Sequence, residues 1–117
     1  MMQYMLLIHM DETAMPSIPT EKAYEINEAY AAYNDALIKA GAWIGGDRLK
    51  PSTSTTVIRT RDDKIEVLDG PFAESKEQLG GYYLIEAADL DAALGWAKKC
   101  PAARNGTIEV RPIWPKL

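Results

Sequence analysis

One cysteine and one histidine are all this chain has of the two commonest soft ligands and nucleophile partners. Cys100 alone cannot close an intrachain disulfide. It follows Lys98-Lys99 and precedes Pro101, the setting of a small apolar residue at a helix end. A catalytic thiol works with a histidine, and His9 lies at the other end of the sequence. A lone histidine without a ligand-spaced cluster argues against a metal site. Positive charge is also scarce: 13 Lys and Arg against 17 Asp and Glu leave a net charge of −4. That balance repels nucleic acid, whose phosphates call for basic patches. There is no block of six like charges and no low-complexity tract. No apolar run approaches the roughly 20 residues that cross a bilayer. The apolar opening segment is interrupted by Gln3 and lacks the basic start and small-residue cleavage site of a signal peptide. Gly45-Gly46 and Gly80-Gly81 match neither phosphate-loop nor dinucleotide spacing. The expectation is a soluble cytoplasmic protein that meets no nucleic acid or membrane and carries no metal or cofactor.

What is present suits a compact fold. The 117 residues are 47% hydrophobic, which predicts one domain over residues 1–117. A core of that size is modest, and a second copy would bury more surface. Tyr4 to Met10 is almost continuously apolar, as in a strand covered on both faces. Residues 11–20, with Pro16 and Pro19, read as a loop. Thr20 before Glu21 predicts a capped helix start, and Ile26, Tyr30, Tyr33, Leu37 and Ala40 recur at helical spacing up to Gly41. Trp43 to Leu49 is extended, and its glycines suggest a bulge or a close approach by backbone or ligand. Thr55 to Arg61 and Lys64 to Leu68 alternate around a two-residue turn, Asp62-Asp63. Ala73 to Leu79 predicts a short helical turn closed by Gly80-Gly81. Tyr82 to Ala87 is a strand. Asp89 caps a second helix carrying Leu90, Ala93, Leu94 and Ala97, which Pro101 stops. Thr107 to Ile113 is the last strand.

The order β-α-β-(β-β)-β-α-β contains a ferredoxin-like βαββαβ core with an inserted hairpin, an α+β fold. It predicts an antiparallel sheet with two helices on one face. The other face would expose a large apolar area, which a second copy in a two-fold homodimer would cover.

Several residues carry chemistry. In Asp69-Gly70-Pro71-Phe72, Asp accepts backbone hydrogen bonds, Gly70 takes positive φ and Pro71 fixes the next φ, with Phe72 expected to anchor the turn in the core. The same loop offers Asp69 and Glu74 as paired carboxylates with Lys76 as a nearby cation, and two carboxylates in one pocket separate their pKa values. His9 is the chain's one imidazole, a side-chain type suited to proton transfer, and Asp11, two residues on, shares its face if the strand continues. Asp47 and Arg48 follow glycines that would leave room for a ligand. Asp69, Glu74, His9 and Asp47 are the candidate proton-transfer groups; Tyr30, Arg48, Gly70 and Lys76 are the candidate ligand contacts. Each also has a structural reading: a tight turn, a strand-end histidine, a solvated bulge, a core tyrosine. Trp43, Trp96 and Trp114 read as core or interface residues.

Three segments carry a resemblance. Residues 69–83, reading Asp-Gly-Pro-Phe-Ala-Glu-Ser-Lys-Glu-Gln-Leu-Gly-Gly-Tyr-Tyr, resemble the signature of the DGPF branch of the YCII-related family. Cys100-Pro101-Ala102-Ala103 with Ile108-Glu109-Val110-Arg111-Pro112 is similar to its C-terminal segment, and Tyr4 to Ile8 to its first strand. The resemblance implies a dimeric α+β barrel. It also implies kinship with proteins acting on small ring compounds such as lactones and chlorinated hydroquinones, and with genes beside those for extracytoplasmic-function sigma factors. The other YCII branch carries a histidine on the first helix, proposed to pair with an aspartate. That position falls at Tyr30 here, and a phenol with a pKa of about 10 cannot replace imidazole as a base near neutral pH. Many DGPF relatives place a histidine before the last strand, where this chain has Arg104-Asn105-Gly106. Three functions follow as expectations: a cofactor-independent isomerase or lyase on a small cyclic or aromatic molecule, a non-catalytic binding or regulatory accessory linked to a sigma factor, or a purely structural dimer.

Overall fold

The computed structural model describes residues 1–13 and 19–116. Residues 14–18 of the predicted loop, Pro16 among them, lie outside the described residues. The elements are β1 (Met2–Met10), α1 (Thr20–Lys39), β2 (Trp43–Arg48), β3 (Thr56–Arg61), β4 (Lys64–Asp69), β5 (Gln78–Ala87), α2 (Leu90–Lys99) and β6 (Thr107–Pro112). Strands pair in the order β2-β5-β1-β6, all antiparallel, while β3 and β4 form a separate two-stranded sheet. This is the ferredoxin-like α+β core with an inserted hairpin.

Strand periodicity divides the large sheet into two faces. Tyr4, Leu6 and Ile8 of β1 and Tyr83, Ile85 and Ala87 of β5 are buried on one face. Tyr33 and Leu37 of α1 and Ala93 and Ala97 of α2 share their cluster, so both helices cover that face. Small residues on α2 let it lie close to the sheet. On the opposite face Met5, Leu7 and Leu84 are only half-buried and Ile44 is exposed. Only one face of β1 is therefore fully covered within the described residues.

Local chemistry explains the boundaries. Asp89 Oδ1 accepts from Ala92 N at 2.9 Å and starts α2 as expected. Gly41 ends α1 at φ +72°. Asp62 and Asp63 take φ of +50° and +63°, the turn that matches strand twist even without glycine. Thr20 is not the cap of α1: it is the first helical residue, and Pro19 precedes it without a side-chain cap bond. Proline there costs nothing, because the first amides lack helical partners. Ala73 to Leu79 is not helical. Gln78 and Leu79 instead join β5, pairing with Met10 and His9. The extra residue, Gly80, is absorbed by a bulge between the Ile8 and His9 pairs.

The molecule is flat, 48 × 47 × 18 Å, with a radius of gyration of 16.3 Å. A compact chain of this length would have a radius of about 13 Å. The β3–β4 hairpin pairs only with itself and leaves Ile58, Ile65 and Val67 more than 60% exposed. Its own ladder is closed at the base where Gly70 N donates to Thr55 O at 2.7 Å.

Candidate functional site

A cavity of about 460 Å³ opens between α1 and the β2–β5 side of the sheet. Ile26 and Tyr30 of the α1 stripe that predicts a core face also supply its roof, with Ala23, Asn27 and Asn34 beside them. Trp43, Gly46 and Arg48 of β2 and Tyr83 of β5 form the floor and far wall. The size falls in the range of small-molecule sites, which are mostly apolar with a few placed polar groups.

Aromatic edges define the walls. The rings of Trp43 and Tyr83 meet edge-to-face at 5.9 Å, and those of Tyr33 and Tyr83 at 5.2 Å. Tyr33 hydroxyl donates to Trp96 O at 2.7 Å, which ties α1 to α2. Tyr83 hydroxyl donates to Asn34 Oδ1 at 2.5 Å, which ties the sheet to α1. The glycine before Asp47 is required by this packing. A Cβ on Gly46 would lie 2.8 Å from the Tyr83 ring and 2.9 Å from Tyr82 O.

The site's polar groups are neutral apart from those at the rim. Burial pushes the Tyr30 phenol up to about 12, and a weaker effect of Cys100 adds to it while Arg48 opposes it. Burial likewise raises Tyr83, so both hydroxyls remain protonated at neutral pH. Asp47 pairs across the strands with Tyr82, and Gly46 with Tyr83. Opposite residues share a face, so Asp47 and Tyr82 belong to the face away from the helices. There Tyr82 hydroxyl donates to Asp47 Oδ2 at 3.2 Å and is raised by that bond. Arg48, one residue on, returns to the cavity side. Its guanidinium has no ion-pair partner among the described residues.

Of the residues singled out by sequence, Tyr30, Asp47 and Arg48 line this cavity. His9, Asp69, Gly70, Glu74 and Lys76 do not. The expected His9–Asp11 pair does not form. Asp11 accepts from Thr13 N at 3.0 Å and Thr13 Oγ1 at 2.6 Å, which hold its carboxyl below the usual range. His9 instead has Nε2 2.6 Å from Glu109 Oε1, off the line of a hydrogen bond, on the sheet face away from the cavity. The β1–β6 register creates that contact, pairing Leu7 with Glu109 and His9 with Thr107.

The Asp69 loop is held by its own bonds. Gly70 takes φ +95°, as its position in the turn requires. Gln78 Nε2 donates to the carbonyls of Ala73 at 3.1 Å and Ser75 at 3.2 Å. Ser75 hydroxyl donates to Glu77 O, and Thr107 hydroxyl donates to Glu77 Oε1 at 2.6 Å. Phe72 does not anchor the loop, because its ring is 80% exposed. Residues 72–77 are irregular, with bends at 72–73 and 76–77 and no helical turn. Trp114, read as core or interface, is 91% exposed.

Sequence reading missed Asn34 and Tyr83 as site residues. Asn34 sits four residues after Tyr30, and that spacing alone places it on the same helix side. Trp43, a core or interface residue by sequence, packs against the core and also lines the cavity.

Among the described residues no group of three His, Cys, Asp or Glu is arranged to hold a metal ion. No helix among them is long and apolar enough to cross a membrane. A model of the YCII-related domain matches residues 2–116. The uncharacterized protein R00369 of Rhizobium meliloti (strain 1021) is 36% identical over 114 residues, spanning 96% of this chain and 92% of that protein. With the fold above, these matches define its kinship: the chain belongs to the YCII-related family.

Proposed function

We propose that this protein binds a small cyclic or aromatic molecule in the cavity beneath α1. One observation carries the reading: about 460 Å³ of space is walled by the rings of Tyr30, Trp43 and Tyr83, with neutral polar groups inside. Titration with ring fragments, followed by heteronuclear NMR, tests it. Shifts are expected at Tyr30, Asn34, Trp43 and Tyr83. Shifts confined to other surfaces would contradict it.

An isomerase or lyase activity is a second reading, supported by His9 beside Glu109 at 2.6 Å, a base and a carboxylate in contact. This pair lies across the sheet from the cavity, so it would serve a site on the other face. Asp69 and Glu74 would act there only with a ligand bound at the loop. Membership in the DGPF branch rests on Asp69-Gly70-Pro71-Phe72 and its neighbours. A sigma-factor partner rests on that resemblance alone, and co-purification at low salt tests it.

We also propose a cytoplasmic homodimer. The half-buried Met5, Leu7 and Leu84, the exposed Ile44 and the apolar edge of the hairpin support it. An isolated two-stranded hairpin is marginal in water, and packing on a second copy would stabilise it. Light scattering at micromolar concentration should give twice the 13.0 kDa chain mass; a single chain mass would refute the dimer.

A further inference from the structure

We infer that the cavity selects a planar ring bearing an anionic oxygen group, and that Asn34 is the residue that reads it. The inference rests on the cavity being the ligand site and adds the ligand's charge and hydrogen-bonding sense.

The argument is one of donors and acceptors. An asparagine amide has one acceptor oxygen and a two-proton donor nitrogen. Asn34 Oδ1 is occupied by the Tyr83 hydroxyl at 2.5 Å. This contact fixes which end of the amide is free. Nδ2 donates to no group among the described residues, and Asn34 lines the cavity. Arg48 adds a cation on the same side, near enough to Tyr30 to act on its phenol. The one carboxylate among the lining residues, Asp47, is engaged by Tyr82 on the other face of the sheet. The cavity lining thus holds an amide nitrogen with no protein acceptor among the described residues and a guanidinium at the rim, while its one carboxylate is engaged on the other face of the sheet. Such a site stabilises oxygen acceptors and disfavours ammonium groups, because a charge-assisted bond is stronger than a neutral one. The three ring walls add stacking surface for a planar body.

The same geometry makes Asn34 a specificity residue rather than a packing residue alone. Asn34→Asp keeps an oxygen for Tyr83 and so keeps the tie between helix and sheet. It replaces the inward donor with a second acceptor. Arg48→Gln removes the cation at an exposed position, where folding is not at stake.

Calorimetric titration with benzoate, benzamide and benzylammonium at millimolar concentration tests this in the full chain. Benzoate should bind tighter than benzamide, and benzylammonium weakest. Asn34→Asp should weaken benzoate by about 10- to 100-fold, the range for a hydrogen bond to a charged group. Its melting temperature should stay close to that of the parent. Arg48→Gln should bring benzoate and benzamide close to equal affinity. Benzylammonium binding as tightly as benzoate, or either Asn34→Asp or Arg48→Gln leaving the preference for benzoate intact, would overturn the inference. Failure of all three rings to bind would overturn the cavity reading itself, a separate outcome.

Discussion

Leu37→Ala is expected to lower the unfolding free energy by about 3 kcal/mol and the melting temperature by about 12 °C. Leu37 is fully buried, and with Tyr33 it is one of the two residues that α1 buries. Removing its isobutyl group loses transfer free energy and leaves a void that the β-sheet beneath cannot fill, since strand positions are fixed by pairing. The consequence reaches the site. The helix that Leu37 holds down also carries Tyr30 and Asn34, which roof the cavity. Thermal unfolding by circular dichroism checks the stability, and ring binding to the folded fraction checks the roof. A loss under about 1 kcal/mol would mean that α1 is held mainly elsewhere.

Gly46→Ala should cost about 1–3 kcal/mol and close part of the cavity. Its Cβ meets a ring carbon at 2.8 Å and a carbonyl oxygen at 2.9 Å. The carbonyl belongs to the sheet ladder and cannot retreat. The Tyr83 ring must then move, which disturbs its bond to Asn34 and its contacts with Trp43 and Tyr33. Gly45 provides the matched control, since a Cβ there meets nothing within 4 Å. Gly45→Ala should stay within about 0.5 kcal/mol of the parent. Chemical denaturation of the pair separates the two cases. Equal losses would show that the glycines serve backbone conformation, not the fit around Tyr83.

Much of the architecture is legible in the sequence because local signals and tertiary structure agree there. The Ile26–Leu37 stripe, the Asp89 cap, the Gly41 terminus and the Asp62-Asp63 turn each follow from short-range chemistry. The misreadings have a common cause. Residues 73–79 have helix-compatible composition, but pairing of Gln78 and Leu79 with β1 overrides it. Phe72 looks like an anchor because it is a large apolar residue in a tight turn, yet the turn lies where the hairpin leaves the body.

The site was harder to read than the fold. Tyr30, Asp47 and Arg48 were found through helix spacing and the neighbouring glycines. Asn34 and Tyr83 come together only across 49 residues of sequence, and His9 meets Glu109 only through strand register. No local pattern encodes such contacts. The loop motif that best marks the family is tied to its own carbonyls and to Thr107, apart from the cavity.

A crystal soaked with benzoate tests the central claim most directly. The ring should lie between Tyr30, Trp43 and Tyr83, with its carboxylate on Asn34 Nδ2 and toward Arg48. Benzoate seated instead at the Asp69 loop or beside His9 and Glu109, with the cavity beneath α1 empty of it, would contradict the account.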